Sequence, residues 1–197
     1  MSQPDKNRRR VLLALGATAG VAGAAELAGL DRIVAVASSF KPNADSGPDG
    51  HVLSASQLAV LRAVCDQVIP ATETPGAVDV DVHGFVDHQL RHCHTDDEQR
   101  AAVALIERLD AASHERQQTT FVQLGNAEQL ALLEDLEAGR GGFSGTDRAH
   151  FKGLKSLIVF GYFTSEVGAT RALRFMPYPG GFKGSVPYEP GTPAWFR

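Results

Sequence analysis

From residue 53 to residue 174 the apolar positions recur at helical spacing, and the polar ones mark where each helix begins and ends. Ser54 and Gln57 form a capping box, and Leu58, Leu61, Cys65 and Val68 then fall on one face until Pro70 stops the run. Thr74-Pro75-Gly76 reads as a turn. A shorter helix is predicted from about Val82 to Arg91, with Val82, Phe85, Val86 and Leu90 as its stripe. Thr95 and Glu98 make a second capping box, opening a long helix through Leu105, Ile106 and Leu109 to about Arg116. Phe121 and Leu124 anchor the next connection, and Asn126 with Gln129 cap a helix carrying Leu130, Leu133 and Leu136. After Gly139, Gly141, Gly142 and Gly145, Asp147 starts a strongly apolar helix with Phe151, Leu154, Leu157, Ile158 and Phe160. A further helical turn spans Ser165 to Leu173. No segment alternates with period two for long enough to demand a sheet. The expected fold is mainly α, a compact bundle of five to six helices over 53–174.

Both flanks of that bundle differ in kind. The segment 38–52, with Lys41 to Gly50 (KPNADSGPDG) at its centre, is a polar linker without apolar periodicity. The last 23 residues, Phe175 to Arg197, hold five of the ten prolines, four glycines and six of the fourteen aromatics. Proline and glycine forbid regular structure there, yet aromatics are poor material for a solvated tail. The tail either wraps its own helices or lies across a partner, with Tyr178, Phe182, Tyr188 and Trp195 as the anchors.

The first 37 residues read as an address. Arg8-Arg9, with Arg10 after them, precede an uncharged run of 15 residues from Val11 to Ala25, rich in Ala and Gly. That run is too weakly apolar for a membrane span, and the paired arginines before it are the twin-arginine pattern. Ala35-Val36-Ala37 offers a small-residue cleavage site, so cleavage is expected after Ala37. The twin-arginine route carries folded proteins, which suggests a cofactor or partner that must be in place before export. A periplasmic or secreted location follows, with membrane contact only through the signal or a complex.

Composition then narrows the chemistry. The 197 residues carry 19 basic and 23 acidic side chains, a net charge of −4. Cleavage after Ala37 removes five basic and three acidic residues, leaving an acidic chain with a net of −6. A nucleic-acid binder would normally carry the opposite surplus. The two cysteines, Cys65 and Cys93, are too few for an iron–sulfur cluster or a four-cysteine zinc site. The stretch Gly139-Arg140-Gly141-Gly142-Phe143-Ser144-Gly145 fails the dinucleotide fingerprint at Ser144 and follows a helix, so it reads as a flexible helix–helix loop. Cys93-His94 lacks the first cysteine of a haem-attachment motif, since Leu90 stands in its place. No nucleophile elbow marks any serine. No catalytic residue and no cofactor site is therefore expected in this chain.

Three features keep alternatives open. His83, His88, His92 and His94 crowd into twelve residues beside Asp87, Asp96 and Asp97, and His88 and His92 stand at i and i+4, a spacing that suits zinc or copper. Against a metal, these residues would occupy the polar face opposite Phe85 and Val86, as a solvated helix end. Cys65 and Cys93, in an oxidising compartment, form a bridge in the reading adopted here; a buried Cys65 thiol and a bridge to a partner are the other possibilities. Glu166 is the one acid among apolar and small residues, either buried and hydrogen-bonded or simply placed by a cap at Thr164 or Ser165.

Several segments together resemble the gluconate 2-dehydrogenase subunit 3 family. They are Arg8-Arg9 with its signal, Leu61-Arg62-Ala63-Val64-Cys65-Asp66-Gln67-Val68-Ile69-Pro70, and Thr74-Pro75-Gly76-Ala77. The C-terminal half adds Gly161 to Thr170 (GYFTSEVGAT) and Val186 to Gly191 (VPYEPG). The resemblance implies a small helical subunit bound to a large FAD-containing, GMC-type dehydrogenase of sugars or sugar acids. It implies FAD in the partner, onward electron transfer to a cytochrome c subunit, and a signal that exports both chains. The alternative is an independent exported metal-binding protein using His83, Asp87, His88 and His92.

Overall fold

The computed structural model describes residues 40–42, 52–175, 185, 187, 190–192 and 194–196, the last two as backbone only. All elements below belong to the unit spanning 41–197. Five α-helices follow in order: α1 (Ala55–Val68), α2 (Val82–Cys93), α3 (Asp96–Gln117), α4 (Asn126–Ala138) and α5 (Gly145–Thr164). A 3₁₀ turn, Phe121–Gln123, links α3 to α4, and a π-helical turn, Gly168–Ala172, follows α5. The architecture is mainly α, as the apolar spacing predicts.

The helix starts show why. In α1 the Gln57 N–H donates to Ser54 Oγ at 3.3 Å while the Ser54 N–H donates to Gln57 Oε1 at 2.9 Å. Two amides that the helix itself cannot satisfy thereby find acceptors. Thr95 and Glu98 repeat the arrangement at α3. At α5 the cap is Ser144, with Asp147 as its reciprocal partner three residues on, so the helix begins earlier than Asp147. Helix α4 is capped one residue earlier than expected: Gly125 donates its N–H to Glu128 Oε2 at 2.9 Å, and Asn126 is the first helical residue. Glycine offers no side chain in return, so only half of a capping box is present.

One core joins all five helices. Val60, Leu61, Val64 and Cys65 of α1 meet Val82, Val86 and Leu90 of α2, Leu105, Ile106 and Leu109 of α3, Leu132, Leu133 and Leu136 of α4, and Phe151, Leu154, Ile158 and Tyr162 of α5. Helices α2 and α5 cross closely at Gly161: a Cβ there would lie 2.5 Å from Cδ1 of Phe85. The absent side chain is what lets the Phe85 ring sit against the α5 backbone. One residue further, the Tyr162 hydroxyl donates to the Pro75 carbonyl at 2.7 Å, tying the turn after α1 to α5.

The chain's far end returns to this body. Strand β1 (Arg174–Phe175) pairs in parallel with β2 (Trp195–Phe196), Arg174 opposite Trp195, and the Arg174 N–H donates to the Ala194 carbonyl at 2.8 Å. Among the described residues no helix is long and apolar enough to cross a membrane.

Candidate functional site

The expected solvated polar face holds at the helix end, where His92, Asp96 and Asp97 are exposed, and is overturned for Asp87 and His88. From Gly84 to Leu90 every residue of α2 is buried, Asp87, His88 and Gln89 included. The helix is short and lies between α1 and α5, so its polar positions point into neighbours as well as its apolar ones. The carboxylates of Asp87 and of the cap residue Asp81 are used in the fold. Asp87 Oδ1 accepts the Val52 N–H at 3.2 Å and the Leu53 N–H at 2.9 Å, pinning the chain just before α1. Asp81 caps α2 from the left-handed region (φ 56°), accepting the Gly84 N–H at 3.3 Å. The same Oδ1 lies 3.3 Å from His83 Nε2.

His83 explains its own protonation. Burial pushes its pKa below the ordinary value of 6.5; the Asp81 carboxylate opposes that shift, and Arg62 adds to it. In the neutral ring Nε2–H can donate to Asp81, whereas the buried Nδ1 has no hydrogen-bond partner. A second proton would therefore arrive at an atom with nowhere to donate.

His88 and His92 do come together, their ring centroids 4.5 Å apart, as their spacing foretells. Yet among the described residues no group of three or more His, Cys, Asp or Glu converges on a point where a metal could sit. The donors around the pair are committed elsewhere: Asp87 holds backbone amides, and His94 Nδ1 lies 3.6 Å from Glu98 Oε2 beyond the helix end. Among the described residues the His88–His92 pair therefore stands without a third ligand beside it.

Cys65 and Cys93 are thiols and do not bridge. Cys65 faces the core from the last turn of α1, while Cys93 ends α2 half-buried. Burial, with Asp81 and Asp66 nearby, pushes the Cys65 thiol far above its usual range, the mark of a packing residue and not of a nucleophile. Glu166 is exposed. The cap beside it is Ser165, whose Oγ accepts the Gly168 N–H at 3.1 Å and donates to the Tyr162 carbonyl at 2.6 Å.

The glycine loop is not slack. Gly141 has φ 63°, and Arg116 of α3 donates Nη2 to its carbonyl at 2.9 Å while Nη1 meets Asp135 Oδ2 at 2.9 Å. Arg108, two turns earlier on α3, donates to the Gly142 carbonyl at 2.8 Å and lies over the buried Phe143 ring at 5.8 Å. Sequence reasoning did not find these two arginines; their spacing of eight on one helix face was the available signal.

Val159 and Phe160 of α5 are 38% and 42% exposed. A groove of about 200 Å³ between α3 and α5 is lined by His94, Glu98, Ala101, Ala102, Ala149, His150, Gly153 and Leu157, with Leu90 and Leu154. Of the predicted partner anchors, Tyr178, Phe182 and Tyr188 lie outside the described residues, as do Arg8, Arg9 and the cleavage site after Ala37. The Trp195 backbone is placed in β2. A family model described as gluconate 2-dehydrogenase subunit 3 matches residues 55–180, from the first residue of α1 to just past β1. The chain belongs to that family. No curated protein and no solved structure matches it. This subunit 3 protein is accordingly an accessory subunit of a dehydrogenase complex, and the match contains all five helices.

Proposed function

We propose that this subunit binds and stabilises an exported FAD-containing dehydrogenase of sugars or sugar acids, of the GMC type, and carries it through the twin-arginine pathway on the Arg8-Arg9 signal. FAD belongs to the large partner, and electrons leave that partner for a cytochrome c subunit. The observation that carries the reading is the family match across the whole helical body. The fate of the polar residues supports it: Asp81 and Asp87, the buried acids of α2, hold backbone amides in place. A chain whose polar groups serve its own fold acts through the surface it buries on another. Interfaces of such permanent complexes commonly exceed about 2,000 Å² in total.

The test is co-purification. Full-length chain carrying an affinity tag, recovered from the exported fraction, is expected to bring a flavoprotein with it in fixed ratio. The flavin absorption bands should travel with the large polypeptide and be missing from this chain alone. Replacing Arg8 and Arg9 by lysine should leave both polypeptides in the cytoplasm. If the chain on its own oxidised a sugar with a dye acceptor, the reading would be wrong.

A further inference from the structure

Helix α2 begins unlike the other four. The caps at Ser54, Thr95, Gly125 and Ser144 are extended, whereas Asp81 stands in the left-handed region at φ 56°. A non-glycine residue keeps that conformation only where its surroundings hold it there. Two of the groups that hold Asp81 meet at one oxygen: Oδ1 accepts the Gly84 N–H at 3.3 Å and lies 3.3 Å from His83 Nε2. A Cβ on Gly84 would lie 2.7 Å from that oxygen, so the missing side chain leaves it room. The link between α1 and α2, residues 70–81, is tied in at this point. Ala77 donates its N–H to the Ile69 carbonyl at 2.9 Å, and its own carbonyl accepts the Val82 N–H at 3.0 Å. The strained residue is thus both the last of the link and the cap of the helix.

His83 is the member of this cluster that a proton can displace. The neutral ring needs only its Nε2–H toward Asp81. A second proton adds a donor at Nδ1, which is buried and has no hydrogen-bond partner among the described residues. The charged groups acting on the ring come from two elements: Asp81 of the link attracts an imidazolium, and Arg62 of α1 repels it. Burial, the largest influence, also disfavours the charge. The side chain is 14% exposed, so water lies within a short swing of the ring. We propose that His83 is a proton-released latch on the α1–α2 link: a second proton drives the imidazole out into water, Asp81 loses a contact that holds its strained backbone, and the link with the first turn of α2 opens while the rest of the bundle stays closed. The sign follows from linkage. The opened form titrates near 6.5 and the closed form below it, so opening gains as pH falls through 6.5 and is unaffected above it. One pH unit below 6.5 the gain is at most about tenfold.

Amide hydrogen exchange of the full-length chain at pH 7.5 and pH 5.5 tests this, each rate being corrected for the base dependence of exchange itself. In the wild type the amides of residues 70–86 are expected to exchange several-fold faster at pH 5.5, while those of α4 keep their protection. His83→Gln, which retains a donor and carries no charge at either pH, should show no such rise. An equal rise in that variant overturns the proposal, as does a wild type whose 70–86 amides ignore pH. A rise shared equally by all five helices overturns it too, because the opening would then be global. A second measurement stands even if the variant does not fold. The ring nitrogens of wild-type His83, followed by ¹⁵N NMR, should show the Nε2–H tautomer at pH 7.5 and titrate below 6.5. Titration at or above 6.5 means that the closed site accepts the proton, and the latch does not exist.

Discussion

Helices α2 and α5 lie against each other and invert the usual expectation of what chemistry and packing look like. The sequence of α2 is crowded with polar residues, yet Asp87, His88 and Gln89 are interior. The stretch of α5 from Leu157 to Gly161 is wholly apolar, yet leaves Val159 and Phe160 partly in solvent. Buried polarity in α2 serves the fold, since each engaged carboxylate satisfies an amide that would otherwise be stranded. Exposed apolarity in α5 is only partly used within the fold, the Phe160 ring lying 6.0 Å from that of Phe85. For an accessory subunit, the informative surface is the one that looks inert.

The contrast breaks most sharply at Asp87. Asp87→Ala would leave the Val52 and Leu53 N–H groups without their acceptor in a buried setting. The expected cost is about 3 kcal/mol, read as a fall of roughly 10 °C in the thermal midpoint of the isolated chain. Zinc and copper content should stay at background in wild type and variant alike. A variant that folded normally but lost a bound metal would restore a chemical role for α2.

Two glycines eight residues apart on α5 sharpen the inside–outside difference. Gly161→Ala presses a methyl group to 2.5 Å from the Phe85 ring, and overpacking of this kind costs about 2 kcal/mol. Gly153→Ala meets open space on the outer side, and removing a glycine from a helix interior should stabilise by about 0.5–1 kcal/mol. Opposite signs in chemical denaturation confirm that the two sides of α5 answer to different neighbours. Equal signs would mean that the outer side is already covered in the isolated chain.

Much of this was readable before any coordinates. Capping boxes are local patterns, so Ser54 with Gln57 and Thr95 with Glu98 located two helix starts to the residue. The start of α4 slipped by one because Gly125 caps it with a backbone amide and no side chain to recognise. The polarity of α2 misled because periodicity reveals one apolar face and is silent on whether a second neighbour covers the polar one. Nor could it show that Arg108 and Arg116 clamp the glycine loop, a contact between residues 25 to 34 apart in sequence. The apolar residues of α5 were visible, but their spacing does not separate the exposed Phe160 from the buried Ile158. Only packing tells an inner Leu from an outer one. The two-residue pairing of β1 with β2 is too short to leave any pattern at all.

The gentlest test concerns His83, where α2 meets the charges around its cap. Burial holds its pKa below 6.5 in the folded chain, while the unfolded chain titrates near that value. Below about pH 6.5 the unfolded state therefore binds more protons than the native one, and stability must fall as pH falls through the window beneath 6.5. Above it both states are neutral and the dependence vanishes. Glu98 and Asp147, held below the usual carboxylate range by hydrogen bonds from Thr95 and Ser144, act in the same direction only at more acid pH. The two windows separate in a denaturation series from pH 7.5 down to 3. His83→Gln should flatten the upper segment and leave the lower one in place. If the upper slope survived in the variant, some other group would carry it, and the unpartnered Nδ1 would not be the atom that resists the proton.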